Sequence, residues 1–157
     1  SYMKEAYHTM GPKFTLGWMA EALYSSKNFS ENYTATMMQA GEFAPTPHSK
    51  LMYNEAFRAN QDVAAGIKPI YVLNDMFQFR TEFYGFTPIF PIKKNALNKA
   101  YYGKAFSRFE YMGEVSVICH LPFGAISAYV NHYSSPRREW NVGMTIGWQL
   151  FNYRFVE

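Results

Sequence analysis

The residues of this chain with chemistry to offer are its carboxylates and arginines. Glu82, Glu110 and Glu114 recur with Arg80 and Arg108 on like-patterned positions of neighbouring segments. Two carboxylates flanking one bond would be the machinery of glycoside hydrolysis. Rows of acids and bases on adjacent strand faces are also what a wet, polar wall requires, and that is the reading expected here. His8, His48, His120 and His132 are scattered without ligand spacing and read as surface or interface histidines rather than a metal site. No Gly-x-Ser-x-Gly elbow, P-loop or dinucleotide fingerprint occurs, and no serine has a base beside it in sequence. The one cysteine, Cys119, excludes an internal disulfide and a cysteine-based metal site, and reads as a small apolar side chain. For this stretch the residues therefore predict no catalysis, no metal and no cofactor.

Those charges must be carried by strands. In the segment 77–86, Phe77, Phe79, Thr81 and Phe83 alternate with Gln78, Arg80, Glu82 and Tyr84, so full charges share one face and large aromatics the other. Along 102–120, Arg108, Glu110, Met112, Glu114 and Ser116 share a face opposite Phe109, Tyr111, Gly113, Val115 and Val117. The closing segment 141–155 sets Asn141, Gly143, Thr145, Gly147 and Gln149 against Val142, Met144, Ile146, Trp148 and Leu150. The segments 3–10, 14–25, 33–43, 63–73 and 123–133 complete about eight antiparallel strands, and no amphipathic helix is expected. Pro69 inside 63–73 predicts a bulge or a strained pairing. Residues 26–32, 74–75 and 121–124 make short connections, and 44–61, 88–101 and 134–139 make longer ones.

Composition agrees with strands wet on one side and apolar on the other. Aromatics reach 19% and charged residues only 17%, while the mean hydropathy is −0.27. No apolar run is long enough for a membrane helix. A net charge of +3 without a basic stripe argues against nucleic acid as a partner. Predicted strands of about 10 to 15 residues exceed the roughly 5 or 6 of soluble sheets and match the roughly 9 to 11 of bilayer-crossing ones. Amphipathic rings at both interfaces fit as well: Trp18, Trp140 and Trp148, with Phe151, Tyr153 and Phe155 at the far end. The fold expected is all-β, an antiparallel meander of a transmembrane β-barrel.

Several stretches carry a resemblance. They are Pro45-Thr-Pro-His-Ser-Lys50, Asn54-Glu-Ala-Phe-Arg-Ala-Asn-Gln61, Ala64-Ala-Gly-Ile-Lys-Pro-Ile70, Leu121-Pro-Phe-Gly124 and Phe151-Asn-Tyr-Arg-Phe-Val-Glu157. In order and spacing they resemble the C-terminal part of the BamA/TamA-type surface-antigen barrel, most like the barrel of bacterial patatin-like phospholipases. The resemblance implies that residues 1–157 are a partial domain, about the last eight strands of a sixteen-stranded barrel in the bacterial outer membrane. It implies as partners the outer-membrane lipid, the remaining N-terminal half of the barrel and other outer-membrane proteins. The implied role is to anchor, and to translocate or present, a patatin-like domain absent from this chain. The loop 44–61 falls where the family folds an extracellular loop inward on a Val-Arg-Gly-Phe/Tyr motif. Here Phe57-Arg58-Ala59-Asn60 stands in that place, with alanine for the glycine and asparagine for the aromatic. The resemblance implies that Arg58 reaches the lumen wall, where Glu82, Glu110 and Glu114 are its available partners. Two other plans suit the same residues: a complete small eight-stranded outer-membrane barrel of structural or adhesive role, and a soluble all-β carbohydrate-binding module.

Overall fold

Alternation of large apolar with small or polar residues draws most of the chain into strands. The computed structural model describes residues 1–135 and 140–148, with backbone alone for 148. In chain order the elements are β1 (Tyr2–Thr9), β2 (Phe14–Tyr24), α1 (Tyr33–Gln39), β3 (Gly41–Glu42), β4 (Arg58–Ala59), β5 (Gln61–Val72), β6 (Phe77–Pro88), β7 (Ile92–Lys94), β8 (Ala100–Tyr102), β9 (Glu110–Leu121), β10 (Gly124–Tyr133) and β11 (Trp140–Trp148). Two short 3₁₀ turns, Ser49–Leu51 and Glu55–Phe57, lie between β3 and β4. Seven strands form one sheet in the order β1-β2-β5-β6-β9-β10-β11, each antiparallel to its neighbours. The sheet is open. Among the described residues β1 and β11 each have one partner, and after six antiparallel steps they run in the same direction.

Two sequence expectations are corrected, and the alternatives at Pro69 are separated. Residues 33–43 are not a strand but helix α1 followed by the two-residue β3, so the sheet has seven strands rather than eight. Asn32 caps the helix by accepting the Ala35 N–H at 2.8 Å, and Tyr33, Met37 and Ala40 (i, i+4, i+7) pack against Ile92 and Ala100. The strand expected over 102–120 starts only at Glu110. Residues 100–102 pair instead with β7, and the left-handed φ of Phe106, 50°, breaks the extended run. Of the two outcomes expected at Pro69, the bulge is absent and the pairing is disturbed. The pairs Ile67↔Phe83 and Ile70↔Arg80 keep one register, and the β5–β6 ladder merely skips Lys68 and Pro69. A proline lacks the N–H that the ladder needs there.

The two faces of the sheet differ as the alternation requires. Phe79, Phe83, Ile67, Val115, Met144 and Ile146 stand exposed on one, and Asp62, Lys68, Glu82, Glu110, Glu114 and Asn131 lie buried on the other. Within β6 the step from Glu82 to Phe83 goes from 2% to 52% exposed. The polar face is covered by the chain between β3 and β5. Phe43, Ala56, Phe57 and Ala59 pack there on Met19, Ala64, Tyr84, Phe86, Met112 and Tyr133. Phe57 lies between Phe86 (centroids 5.6 Å) and Tyr133 (6.0 Å).

Candidate functional site

The segment 43–60 is an insert lying on the charged face, and a buried loop must satisfy its own backbone. Pro45 and Pro47 bring no N–H to satisfy. Between them, the Thr46 N–H donates to Ser49 Oγ (3.0 Å), the Ser49 N–H to Thr46 Oγ1 (3.0 Å), and the Ser49 hydroxyl to the Thr46 carbonyl (2.8 Å). Asn54 accepts the Ala56 N–H at 3.0 Å and donates to the Ser135 carbonyl at 2.9 Å, which ties the insert to the end of β10.

This local closure presents His48 to the charged face of the sheet. Its Nδ1 lies 2.7 Å from Glu114 Oε1 on β9, its Nε2 3.3 Å from Thr145 Oγ1 on β11, and its ring stacks on Tyr129 of β10 at 3.4 Å between centroids. One side chain of the insert thus touches the last three strands of the sheet. A carboxylate only accepts, so Nδ1 carries the proton shared with Glu114. The expectation of a surface or interface histidine is corrected for His48, which is 8% exposed.

Glu114 needs that donor. It stands directly across the β6–β9 ladder from Glu82, and both are buried. Like charges in such cross-strand pairs destabilise a sheet unless each is compensated. Glu82 has the Arg80 guanidinium at 2.8 Å and accepts the Tyr84 hydroxyl at 2.5 Å. Glu110 has Arg108 at 3.3 Å and accepts the Ser134 hydroxyl at 2.5 Å. Arg108 also donates to the Ala56 carbonyl, so it bridges wall and insert. Among the described residues, the second oxygen of Glu114 and both amide atoms of its buried cross-strand neighbour Asn131 have no hydrogen-bond partner. On the same face, toward the β1 edge of the sheet, Lys68 pairs with Glu5, which also accepts the Tyr7 hydroxyl at 2.6 Å.

Arg58 departs from the expected lock. None of Glu82, Glu110 and Glu114 is its partner. It pairs with Glu42 across β3–β4, donates to the carbonyls of Met37 (3.2 Å), Met38 (3.2 Å) and Ala40 (3.4 Å), and lies over the Tyr53 ring at 4.7 Å. The guanidinium therefore holds the C-terminal end of α1, where carbonyls lack helical partners, and closes the insert on itself. Asn60, in the place of the motif aromatic, is buried and donates to the Tyr102 hydroxyl at 3.1 Å. Tyr33 of α1 donates to Glu55, and burial first, that bond second, push its phenol above the usual range.

The expected interface aromatics divide. Trp140, at the start of β11, is exposed and stacks on His132 at 4.7 Å. Trp18 lies in the middle of β2 rather than near an end, with the Lys4 ammonium 5.8 Å from its ring. Trp148 ends β11, and Phe151, Tyr153 and Phe155 lie outside the described residues. The residues missed by sequence reasoning are His48, Tyr129 and Thr145, and no local spacing marks them as a set. Compared with known proteins, the chain matches no family model, no curated protein and no solved structure.

Proposed function

We infer that this chain is part of the wall of an outer-membrane β-barrel with a folded-in segment fixed to its lumen side. The observation that carries the reading is the inverted distribution of side chains. Buried carboxylates, a lysine and an asparagine occupy one face, while aromatic and branched apolar residues stand exposed on the other. A soluble sheet would bury its apolar face and wet its charges. In a bilayer the apolar face meets lipid and the polar face lines the lumen.

Other features support it. The sheet strands run 8 to 12 residues, near the bilayer-crossing length. Their connections are short at one end of the sheet (10–13, 73–76, 122–123) and long at the other (25–60, 89–109, 134–139). That is the plan of short periplasmic turns and longer outer loops. With two edges running the same way, an all-antiparallel ring needs an odd number of further strands. That favours a larger, even-numbered barrel such as the sixteen-stranded surface-antigen plan over closure of this sheet on itself. In that plan the chain anchors, and translocates or presents, an attached patatin-like domain, and its partners are outer-membrane lipid, the rest of the barrel wall and other outer-membrane proteins.

The test is extraction and folding behaviour. The protein should sediment with membranes through alkaline carbonate, require detergent for release, and migrate differently on gels before and after boiling. Recovery as a detergent-free soluble monomer would overturn the reading.

A further inference from the structure

Between Glu82 and Glu110 the chain has no acidic residue, yet it carries Lys93, Lys94, Lys99 and Lys104. All four are exposed, and none forms an ion pair among the described residues. They are borne by the β7–β8 hairpin and the chain just after it, a built platform rather than a loose loop. Asn95 accepts the N–H groups of Leu97 (2.9 Å) and Lys99 (2.8 Å), and the Asn98 carbonyl accepts the Tyr33 N–H at 2.9 Å, which ties the tip to α1. Ile92 is buried against Met37 and Ala40. The Lys93 stem lies on Gly103, where an added Cβ would meet its Cε at 2.8 Å, so Lys93 is held close to the chain that continues into Lys104. Four like charges on one hairpin and its continuation, unpaired among the described residues, repel one another. Exposed apolar side chains are interleaved with them, Leu97 (78%) and Phe106 (63%) among them.

We propose that this hairpin docks on anionic lipid headgroups, its ammonium groups on the phosphates and Leu97 and Phe106 dipping into the interface. The inference rests on the barrel reading. The hairpin joins β6 to β9 at the long-loop end of the sheet, past the part of β6 that carries the exposed Phe79 and Phe83, which in a barrel is the level of the headgroups. Basic residues interleaved with apolar ones are the composition that lies in such an interface.

The experiment adds the detergent-refolded intact protein, with the barrel strands that complete this sheet, to vesicles of phosphatidylcholine alone, or with about one-fifth phosphatidylglycerol, and measures co-flotation. The chain should enter both, with a clear preference for the anionic vesicles that fades in molar salt. The joint variant Lys93→Gln, Lys94→Gln, Lys99→Gln, Lys104→Gln should lose roughly fivefold of that preference per lysine, the gain of about 1 kcal/mol that one lysine has at an anionic surface. Uptake by neutral vesicles and far-UV circular dichroism should not change, and the four-arginine variant should keep the preference. Equal uptake by both vesicle types, unchanged in the glutamine variant, overturns the headgroup site and leaves the barrel reading standing. Uptake by anionic vesicles alone, lost in the variant, supports the site and overturns the barrel. Full competition by soluble inositol hexakisphosphate at low concentration overturns lipid as the partner in favour of a free polyanion.

Discussion

His48→Ala should loosen the insert from the wall, and the structure sets the size of the effect. The side chain gives Glu114 its only donor among the described residues and answers the cross-strand carboxylate of Glu82. A hydrogen bond to a charged group contributes about 1.5–3 kcal/mol, and the stack on Tyr129 about 0.5–1.5 kcal/mol more. The Thr145 contact, at 3.3 Å, adds little. The substitution should therefore cost about 2–4 kcal/mol, read from urea unfolding of the refolded protein in detergent. Trypsin should also cut faster after Lys50, which is exposed on the insert's first 3₁₀ turn.

A double-mutant cycle isolates the pair. Glu114→Ala removes the acid and relieves its repulsion with Glu82, so His48→Ala should be much milder in that background, with a coupling of about 1.5–3 kcal/mol. Additivity of the two substitutions within about 0.5 kcal/mol would refute the reasoning, because it would mean that the 2.7 Å contact is geometry without energy.

Arg58→Ala should free the end of α1, seen as protease cutting and faster amide exchange within 33–42 at unchanged far-UV strand signal, and Arg58→Lys should rescue little because an ammonium cannot fork over carbonyls and Glu42 together. Gly66→Ala should cost about 1–3 kcal/mol, since its Cβ would lie 2.6 Å from the Phe83 carbonyl oxygen, whereas Gly147→Ala, with nothing among the described residues closer than 3.8 Å, should be tolerated; equal urea midpoints for the two would sink the argument. Tyr33, raised above the ordinary phenol value of 10.0 by burial and by its bond to Glu55, ionises later folded than unfolded. Its stabilisation is full below about pH 10 and falls as pH rises beyond that, and Tyr33→Phe should flatten that alkaline loss in pH-dependent unfolding.

The faces of the sheet were legible because period two leaves no freedom: once Phe83 faces out, Glu82 and Tyr84 face in. Helix α1 was not, because Tyr33, Met37 and Ala40 repeat every turn inside a stretch short enough to read as alternating. Asn32 was the signal that separates the two readings. The inner acids were read onto one face, but their counter-groups were not, because pairing came from chain closure. His48 meets Glu114 across 66 positions and Thr145 across 97. Arg58 was aimed at the wall, yet the β3–β4 pairing sets it 16 positions from its acid, Glu42, beneath a helix that had not been foreseen.

The direction of the two free edges carries the largest structural consequence. If the sheet closed on itself, β1 and β11 would meet in parallel. Two copies inserted the same way round, related by an axis along the barrel, would again present parallel edges at both seams, so neither self-closure nor a symmetric pair gives the antiparallel ring of bacterial outer-membrane barrels. A complement of odd strand number does, and a sixteen-stranded ring needs nine strands beyond these seven. In a Cys119→Ala background, a cysteine at Ala6 on β1 paired in turn with one at Val142, Met144 or Ile146 on β11 should give no intrachain disulfide. That bond requires Cα atoms within about 7 Å. Efficient oxidation of any of the three pairs in membranes would mean that β1 and β11 are neighbours, and the complementary strands would then be unnecessary.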